Sequence, residues 1–189
     1  MKPRISSLMF IATLLLFAVT ASADEFDDTV SLFKNAGESS AFFQKSYAYA
    51  VFPTVGKGGL GVGAAHGSGR AFAQGKYVGD VKVNQLSVGL QAGGQAYSQI
   101  VFFEDKRAFD EFAKGSYEFD ATVQAIAITA SATASAGSAG SSAGAAGGKK
   151  DAATAGQYHK GIAVFTVAKG GLMYQAAVGG QKFKYKAKK

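Results

Sequence analysis

The spacing of apolar residues predicts helices at the start of the chain, before a long β-rich region. Over residues 24–49 the apolar residues recur every three or four positions, as on one face of a helix. These residues are Phe26, Val30, Phe33, Phe42, Phe43 and Tyr47. Gly37 interrupts the pattern, and Ser39 or Ser40 is a suitable N-cap for a second helical piece.

Residues 55–103 carry many glycines and an alternation of apolar and polar residues that predicts β-strands. The apolar residues change parity between Val83 and Leu86, and this change predicts a bulge or turn at Asn84-Gln85. Gly75-Lys76 predicts a hairpin turn.

A short helix is predicted after the fully apolar residues 100–103, which read as a buried strand. Residues 104–114 return to helical spacing. Asp105 is in position to cap the first turn, and Gly115 stands where a helix commonly ends.

The last third of the chain combines a low-complexity stretch with further strands. Residues 125–156 are almost entirely Ala, Ser, Gly and Thr, and we expect a mobile loop over 130–156. Strands are predicted again over 161–167 and 172–185. In the last strand, Phe183 and Tyr185 take one face. The other face carries Lys182, Lys184, Lys186 and Lys188. Such a face suits either anion binding or the protection of a sheet edge.

One sequence phrase occurs twice and indicates how the strands are organised. Residues 50–60, AVFPTVGKGGL, return as AVFTVAKGGL at 163–172, and Gly-Gly-Gln follows each copy, at 93–95 and 179–181. Two copies are too few for a solenoid. We therefore predict a single α+β domain that is rich in β-structure. Its expected form is a curved antiparallel sheet or small barrel from two related halves, flanked by N-terminal and central helices.

The first 23 residues have the pattern of a secretory signal peptide. Lys2 and Arg4 precede an apolar run that ends at Ala21-Ser22-Ala23, an Ala-x-Ala-like cleavage site. We expect a domain over 24–189 in an exported, periplasmic or secreted protein. The chain has no cysteine, so disulfides cannot stabilise it.

The charge is basic and unevenly distributed. Without Lys2 and Arg4, 18 basic residues oppose 13 acidic ones, for a net charge of +5. In an exported protein this excess favours anionic lipid headgroups or cell-wall polyanions over nucleic acid. Lysines that only keep the surface soluble are the alternative.

The sequence carries few residues for catalysis, so we expect neither an enzyme nor a cofactor or metal site. His66 and His159 are the two histidines, and metal binding would require them to meet carboxylates in space. A hydrolase using His66 and Ser68 is an alternative, but the strand-to-helix elbow of such enzymes is missing. The G-x-S-x-G match at 140–144 falls inside the low-complexity stretch.

Lys57 and Lys169 occupy equivalent places in the repeat, beside glycines whose backbone N–H groups are suited to holding an anion. Other basic residues are candidates for the same face, namely Arg70, Lys76, Lys82 and Lys160. Solvated turn residues are an equally good interpretation of the two repeat lysines.

The ordered series of these motifs resembles the SYLF domain. The series comprises AVFP at 50–53, GKGG at 56–59, GSG at 67–69, VGLQAGGQ at 88–95, IVFF at 100–103 and GGQ at 179–181. The resemblance extends from about residue 39 to 185. It implies a phospholipid-binding module, found in actin-patch proteins of yeast and in exported bacterial proteins. In eukaryotic members a basic amphipathic leader binds phosphoinositides, and some members bind actin.

This chain differs from that pattern in its leader, because residues 24–40 hold five carboxylates against Lys34. We therefore expect the Lys-Gly-Gly turns and the C-terminal lysines to bind lipid, as a peripheral contact. The expected residues are Lys57, Arg70, Lys76, Lys160, Lys169, Lys182, Lys184 and Lys186. Phosphatidylglycerol or cardiolipin is the expected ligand rather than a phosphoinositide. The rival hypothesis is an envelope structural or adhesion protein that contacts protein or the cell wall.

Overall fold

Six strands and four helices make up the part of the chain that the computed structural model describes, residues 21–120, 123, 125–128, 158–169 and 178–189. The helices are α1 (Ala21–Asn35), α2 (Gly37–Ser40), α3 (Phe42–Lys45) and α4 (Lys106–Phe112). The strands are β1 (Ala48–Ala73), β2 (Lys76–Phe103), β3 (Ser116–Glu118), β4 (Ala125–Ile128), β5 (Ile162–Lys169) and β6 (Lys182–Ala187). The predicted loop over 130–156 and most of the predicted signal peptide lie outside the described residues.

Strands β1 and β2 form one long antiparallel hairpin that runs through the whole sheet. The turn consists of Gln74 and Gly75, whose φ angles of 49° and 76° are both positive. Two consecutive positive φ angles are characteristic of a two-residue type I′ turn, whose twist matches that of the flanking strands. The hairpin prediction is thus confirmed, although the turn begins one residue earlier than Gly75-Lys76.

The sheet has two halves that share this hairpin. In the hairpin-end half, β6 pairs with residues 79–84 of β2, and β3 pairs with β6. In the helix-end half, β5 pairs with residues 96–103 of β2, and β4 pairs with β5. The β4–β5 pair is parallel whereas the other pairs among the six described strands are antiparallel, so the sheet is mixed.

The hairpin bends so strongly that the two ends of β1 approach each other, and glycines permit the approach. A Cβ atom at Gly69 would lie 2.5 Å from the Phe52 ring and 2.7 Å from the Val51 carbonyl oxygen. A Cβ atom at Gly67 would lie 2.9 Å from the Thr54 carbonyl oxygen. These positions require glycine because another backbone occupies the space of a side chain.

The core has two parts, one on each side of the sheet. One part lies between α4 and the sheet, and includes Phe52, Phe103, Phe112, Phe119 and Phe183. The other lies between α1–α3 and the helix-end half, and includes Phe33, Phe42, Phe102 and Phe165. Helices therefore pack on both sides of the helix-end half. The prediction of a β-rich α+β domain with N-terminal and central helices is confirmed.

Helices form in both regions where the sequence predicts them, before β1 and after β2. The predicted N-cap residues are confirmed for the second region only. Asp105 accepts a hydrogen bond from the Ala108 N–H at 2.7 Å and caps α4, as predicted. Gly115 adopts a φ of 102° just after that helix. Neither Ser39 nor Ser40 is an N-cap, because α2 and α3 follow Ala36 and Ala41. The Ser39 hydroxyl is buried and donates to the Phe33 carbonyl at 2.6 Å.

The bulge predicted at Asn84-Gln85 is wrong. Pairing continues without a shift through His66–Asn84 and Ala64–Leu86. The register shifts of the hairpin lie elsewhere, and one of them falls at Pro53. Because no shift intervenes, Leu86 stays on the outward-facing parity and is 80 % exposed. At Leu86, the change of parity in the sequence marks an apolar residue that faces outward.

The two copies of the repeated phrase lie on either side of β2 in the helix-end half. Phe52 of the first copy pairs with Gln99, whereas Phe165 of the second pairs with Ile100, the next residue along. This offset of one residue places the two phenylalanines on opposite sides of the sheet, in different parts of the core. What repeats is therefore the strand itself and not the direction of its side chains.

Candidate functional site

The outer surface of the hairpin-end half is lined with lysines. Along β6, Phe183 points into the core and is 1 % exposed, so Lys182, Lys184 and Lys186 point outward. In the adjacent strand β2, Lys82 lies directly opposite Lys184. The shared face of the β6 lysines, predicted from their alternation, is confirmed.

Neighbouring strands add small polar side chains to these lysines in straight cross-strand rows. The central row runs Ser68–Lys82–Lys184–Ser116, from β1 through β2 and β6 to β3. The next row contains Asn84 opposite Lys182. We call this surface the lysine face, and define it as the exposed side chains of Ser68, Lys82, Asn84, Ser116, Lys182, Lys184 and Lys186.

The pair at the centre of the lysine face lacks a carboxylate partner in the described part of the chain. Like charges directly opposite each other on a sheet repel, so the Lys82–Lys184 pair is unfavourable on its own. Lys182 has a carboxylate partner, Glu118, at 3.6 Å, but both side chains are more than half exposed. Such a pair contributes about 0–1 kcal/mol. The face therefore keeps a net positive potential that an external anion can neutralise.

Asp80, the second acidic residue beside the lysine face, has a hydrogen-bond donor of its own. Asp80 lies opposite Lys186 and accepts a hydrogen bond from the Tyr77 hydroxyl at 2.7 Å. This hydrogen bond raises the pKa of Tyr77. The four lysines of this surface therefore outnumber its two neighbouring carboxylates, Asp80 and Glu118.

Three other predicted binding residues interact with the protein itself. The Arg70 guanidinium lies over the Phe26 ring of α1, 4.3 Å from its centroid. Lys160 forms a 2.7 Å ion pair with Asp120. The Lys169 ammonium lies 2.8 Å from the Thr54 hydroxyl and 3.4 Å from Glu25.

The repeat does not build one basic site from Lys57 and Lys169. Lys169 lies in the row that contains Gly56, whereas Lys57 is the next residue of β1 and so faces the other side of the sheet. Lys76 is exposed beside the hairpin turn. Of the residues expected on one face with these lysines, Lys82 joins the three β6 lysines. Arg70 lies opposite Asp80, in the row that contains Lys186, but its guanidinium lies over the Phe26 ring.

His66, the histidine of the hydrolase alternative, lies beside the lysine face. Its Nδ1 atom is 2.8 Å from the Asn84 side-chain oxygen. Ser68 is two residues further along β1 and lies on the same surface. The contact of His66 is thus with an amide and not with the carboxylate that orients a catalytic histidine.

Two large apolar side chains border the lysine face, and the sequence interpretation did not find them. Leu86 is 80 % and Val62 is 62 % exposed. The predicted bulge at Asn84-Gln85 rests on the rule that apolar residues face inward, and Leu86 does not follow that rule. An alternation continued without a break from Val81 would have placed Leu86 on the outward-facing side, whereas it says nothing about Val62.

Within the described residues, no three acidic or histidine side chains come together in a way that would hold a metal ion. No helix in this part of the chain is long and apolar enough to cross a bilayer.

Comparison with curated proteins shows a distant similarity. No family model matches the chain. The chain is 28 % identical over 158 residues to a protein named Beta cell expansion factor A, from Aeromonas veronii. The similar region covers 82 % of this chain and 51 % of that protein, so the chain spans about half the length of the curated relative it matches.

Proposed function

We propose that this protein binds anionic phospholipid at a membrane surface, without catalysis, through the lysine face. The observation that carries the proposal is the alignment of Lys82, Lys182, Lys184 and Lys186 on one exposed surface. Each lysine near an anionic surface contributes about 1 kcal/mol of binding free energy. Four of them provide about 4 kcal/mol, enough for reversible peripheral binding.

The resemblance to the SYLF domain supports this proposal, and we also propose that the chain is a distant member of that family. The sequence motifs of the resemblance fall on the two long strands and on the segment before β6. That family pattern implies phospholipid binding. We propose an exported location for the protein, where phosphatidylglycerol or cardiolipin would be the available anionic lipid.

Co-sedimentation with lipid vesicles tests the proposal. The protein is mixed with phosphatidylglycerol or phosphatidylcholine vesicles at low and at high salt, and the bound fraction is measured. We expect binding to phosphatidylglycerol at low salt that weakens strongly at high salt, because salt screens exposed charges. Binding to both lipids at both salt concentrations would refute a charge-based site. No binding to either lipid would favour the rival role, an envelope protein that contacts protein or the cell wall.

A further inference from the structure

The surface next to the lysine face exposes two side chains that folded proteins usually bury. Leu86 and Val62 are the large apolar residues that stand out in solvent among the side chains the structure describes. Each would gain about 1.5–3 kcal/mol by moving from water into an apolar environment. Single exposed apolar residues need no explanation, but the position of these two relative to the lysines is informative.

The register places the two side chains side by side at one end of the lysine face. Leu86 pairs with Ala64, and Val62 lies two residues along β1 on the same side, diagonal to Leu86. Asn84, two residues before Leu86, lies opposite Lys182. The apolar pair is therefore continuous with the row that contains Lys182, and the Lys82–Lys184 row follows.

A lysine-bordered apolar patch fits a lipid surface better than a second copy of the chain. A two-fold dimer would bring the same patch of each copy together, and with it the lysine faces. Lys82, Lys182, Lys184 and Lys186 of both copies would then repel each other. An anionic bilayer offers the opposite arrangement, with negative headgroups above and hydrocarbon below.

We propose that Leu86 and Val62 insert between lipid molecules while the neighbouring lysines bind the headgroup phosphates. This inference rests on the proposed function and adds the orientation and depth of the protein at the membrane. Lysine side chains suit this arrangement, because their ammonium groups stay at the polar level while apolar neighbours enter the hydrocarbon. The binding free energy then includes an apolar contribution, which salt does not screen.

Tryptophan fluorescence measures the insertion directly, since the natural chain contains no tryptophan. Leu86→Trp places the probe in the apolar patch, and Ser68→Trp places a control probe on the lysine face. With phosphatidylglycerol vesicles we expect a blue shift of the Leu86→Trp emission and quenching by lipids brominated on their acyl chains. The Ser68→Trp probe should shift and quench much less.

A second variant measures the contribution of insertion to affinity. Val62→Ser/Leu86→Ser removes both apolar side chains from exposed positions, so its melting temperature should stay close to that of the natural protein. We expect its affinity for phosphatidylglycerol vesicles to fall roughly tenfold or more, as expected from the loss of one or two buried apolar side chains. The binding that remains should be abolished by high salt.

The outcomes separate this inference from the proposed function. Salt-sensitive vesicle binding without a blue shift or quenching of Leu86→Trp would overturn insertion and leave the lysine face as the binding site. A blue shift that grows with protein concentration in the absence of vesicles would overturn it in favour of a second copy. Absence of any vesicle binding by the natural protein would overturn both proposals.

Discussion

At the scale of single residues, the pKa that the fold shifts most among the described residues is that of a buried tyrosine. Tyr97 is 2 % exposed, and its hydroxyl oxygen accepts a hydrogen bond from the Gln181 side-chain amide at 3.1 Å. Gln181 also exchanges hydrogen bonds with Gln99, and this buried network ties the segment before β6 to the sheet. Burial raises the pKa of Tyr97 to about 12, against the opposing effect of the hydrogen bond from Gln181.

Because the pKa of Tyr97 is raised in the folded protein, we predict a loss of stability in alkaline solution. Its pKa is 10.0 as a model group and about 12 in the folded protein. Between these values the unfolded chain releases the proton while the folded protein keeps it, so the free energy of unfolding falls as pH rises. The slope is about 1.4 kcal/mol per pH unit. Denaturant unfolding at pH 9 and pH 11 measures the loss, and Tyr97→Phe should lose less stability than the natural protein over this interval. An equal loss in both proteins would contradict the assignment.

Individual side-chain directions could be predicted where the alternation was regular, and not where it depended on an assumption about burial. Lys182, Lys184 and Lys186 were placed on one face from sequence, because Phe183 and Tyr185 define the inward parity. Leu86 was misplaced because an apolar residue was assumed to face inward.

The meeting of Lys82 with Lys184 depends on the pairing of β2 with β6, which are far apart in sequence. Local periodicity carries no information about such a register. The sequence therefore could not predict the lysine face as a whole, although it did predict the shared face of the three lysines in β6.

At the scale of elements, the bent β1–β2 hairpin holds the site in place. Its helix-end half is covered by helices on both sides, whereas its hairpin-end half carries the core on one side and the lysine face on the other. Glycines permit the bend where the two ends of β1 meet. The sequence predicts glycine-rich strands, but which glycines meet another part of the backbone follows only from the bend of β1.

Because β1 bends, we predict that substitution by alanine lowers the free energy of unfolding at one of its glycines and not at another. Gly69→Ala would place a Cβ atom against the Phe52 ring and the Val51 carbonyl. We expect a cost of about 1–3 kcal/mol in the free energy of unfolding, as for other overpacked sites. Gly56→Ala is the matched control, because no atom lies within 4 Å of the added methyl group. It should change stability by less than about 0.5 kcal/mol. Equal effects in chemical denaturation would refute the close approach.

At the scale of the whole molecule, the positive charge is organised by the fold and not merely abundant. The chain carries a formal net charge of +7, yet several of its cations are bound within the protein, as Arg70 is to Phe26 and Lys160 to Asp120. In the described part of the chain, the lysine face gathers four lysines on one exposed surface, with the apolar pair at its border.

The measurement that tests the central claim most directly compares two variants with the same loss of charge. One replaces Lys82, Lys182, Lys184 and Lys186 of the lysine face with Gln. The control replaces Lys45, Lys57, Lys76 and Lys114, which lie elsewhere and are wholly or partly exposed. Each protein is titrated with phosphatidylglycerol vesicles at low salt.

We predict that the lysine-face variant loses affinity by roughly a hundredfold to a thousandfold, since each lysine contributes about 1 kcal/mol. The control variant should stay within about tenfold of the natural protein, because its lysines lie away from the contact surface. Equal losses in the two variants would show that net charge alone governs binding, and an unchanged affinity of the lysine-face variant would contradict the account.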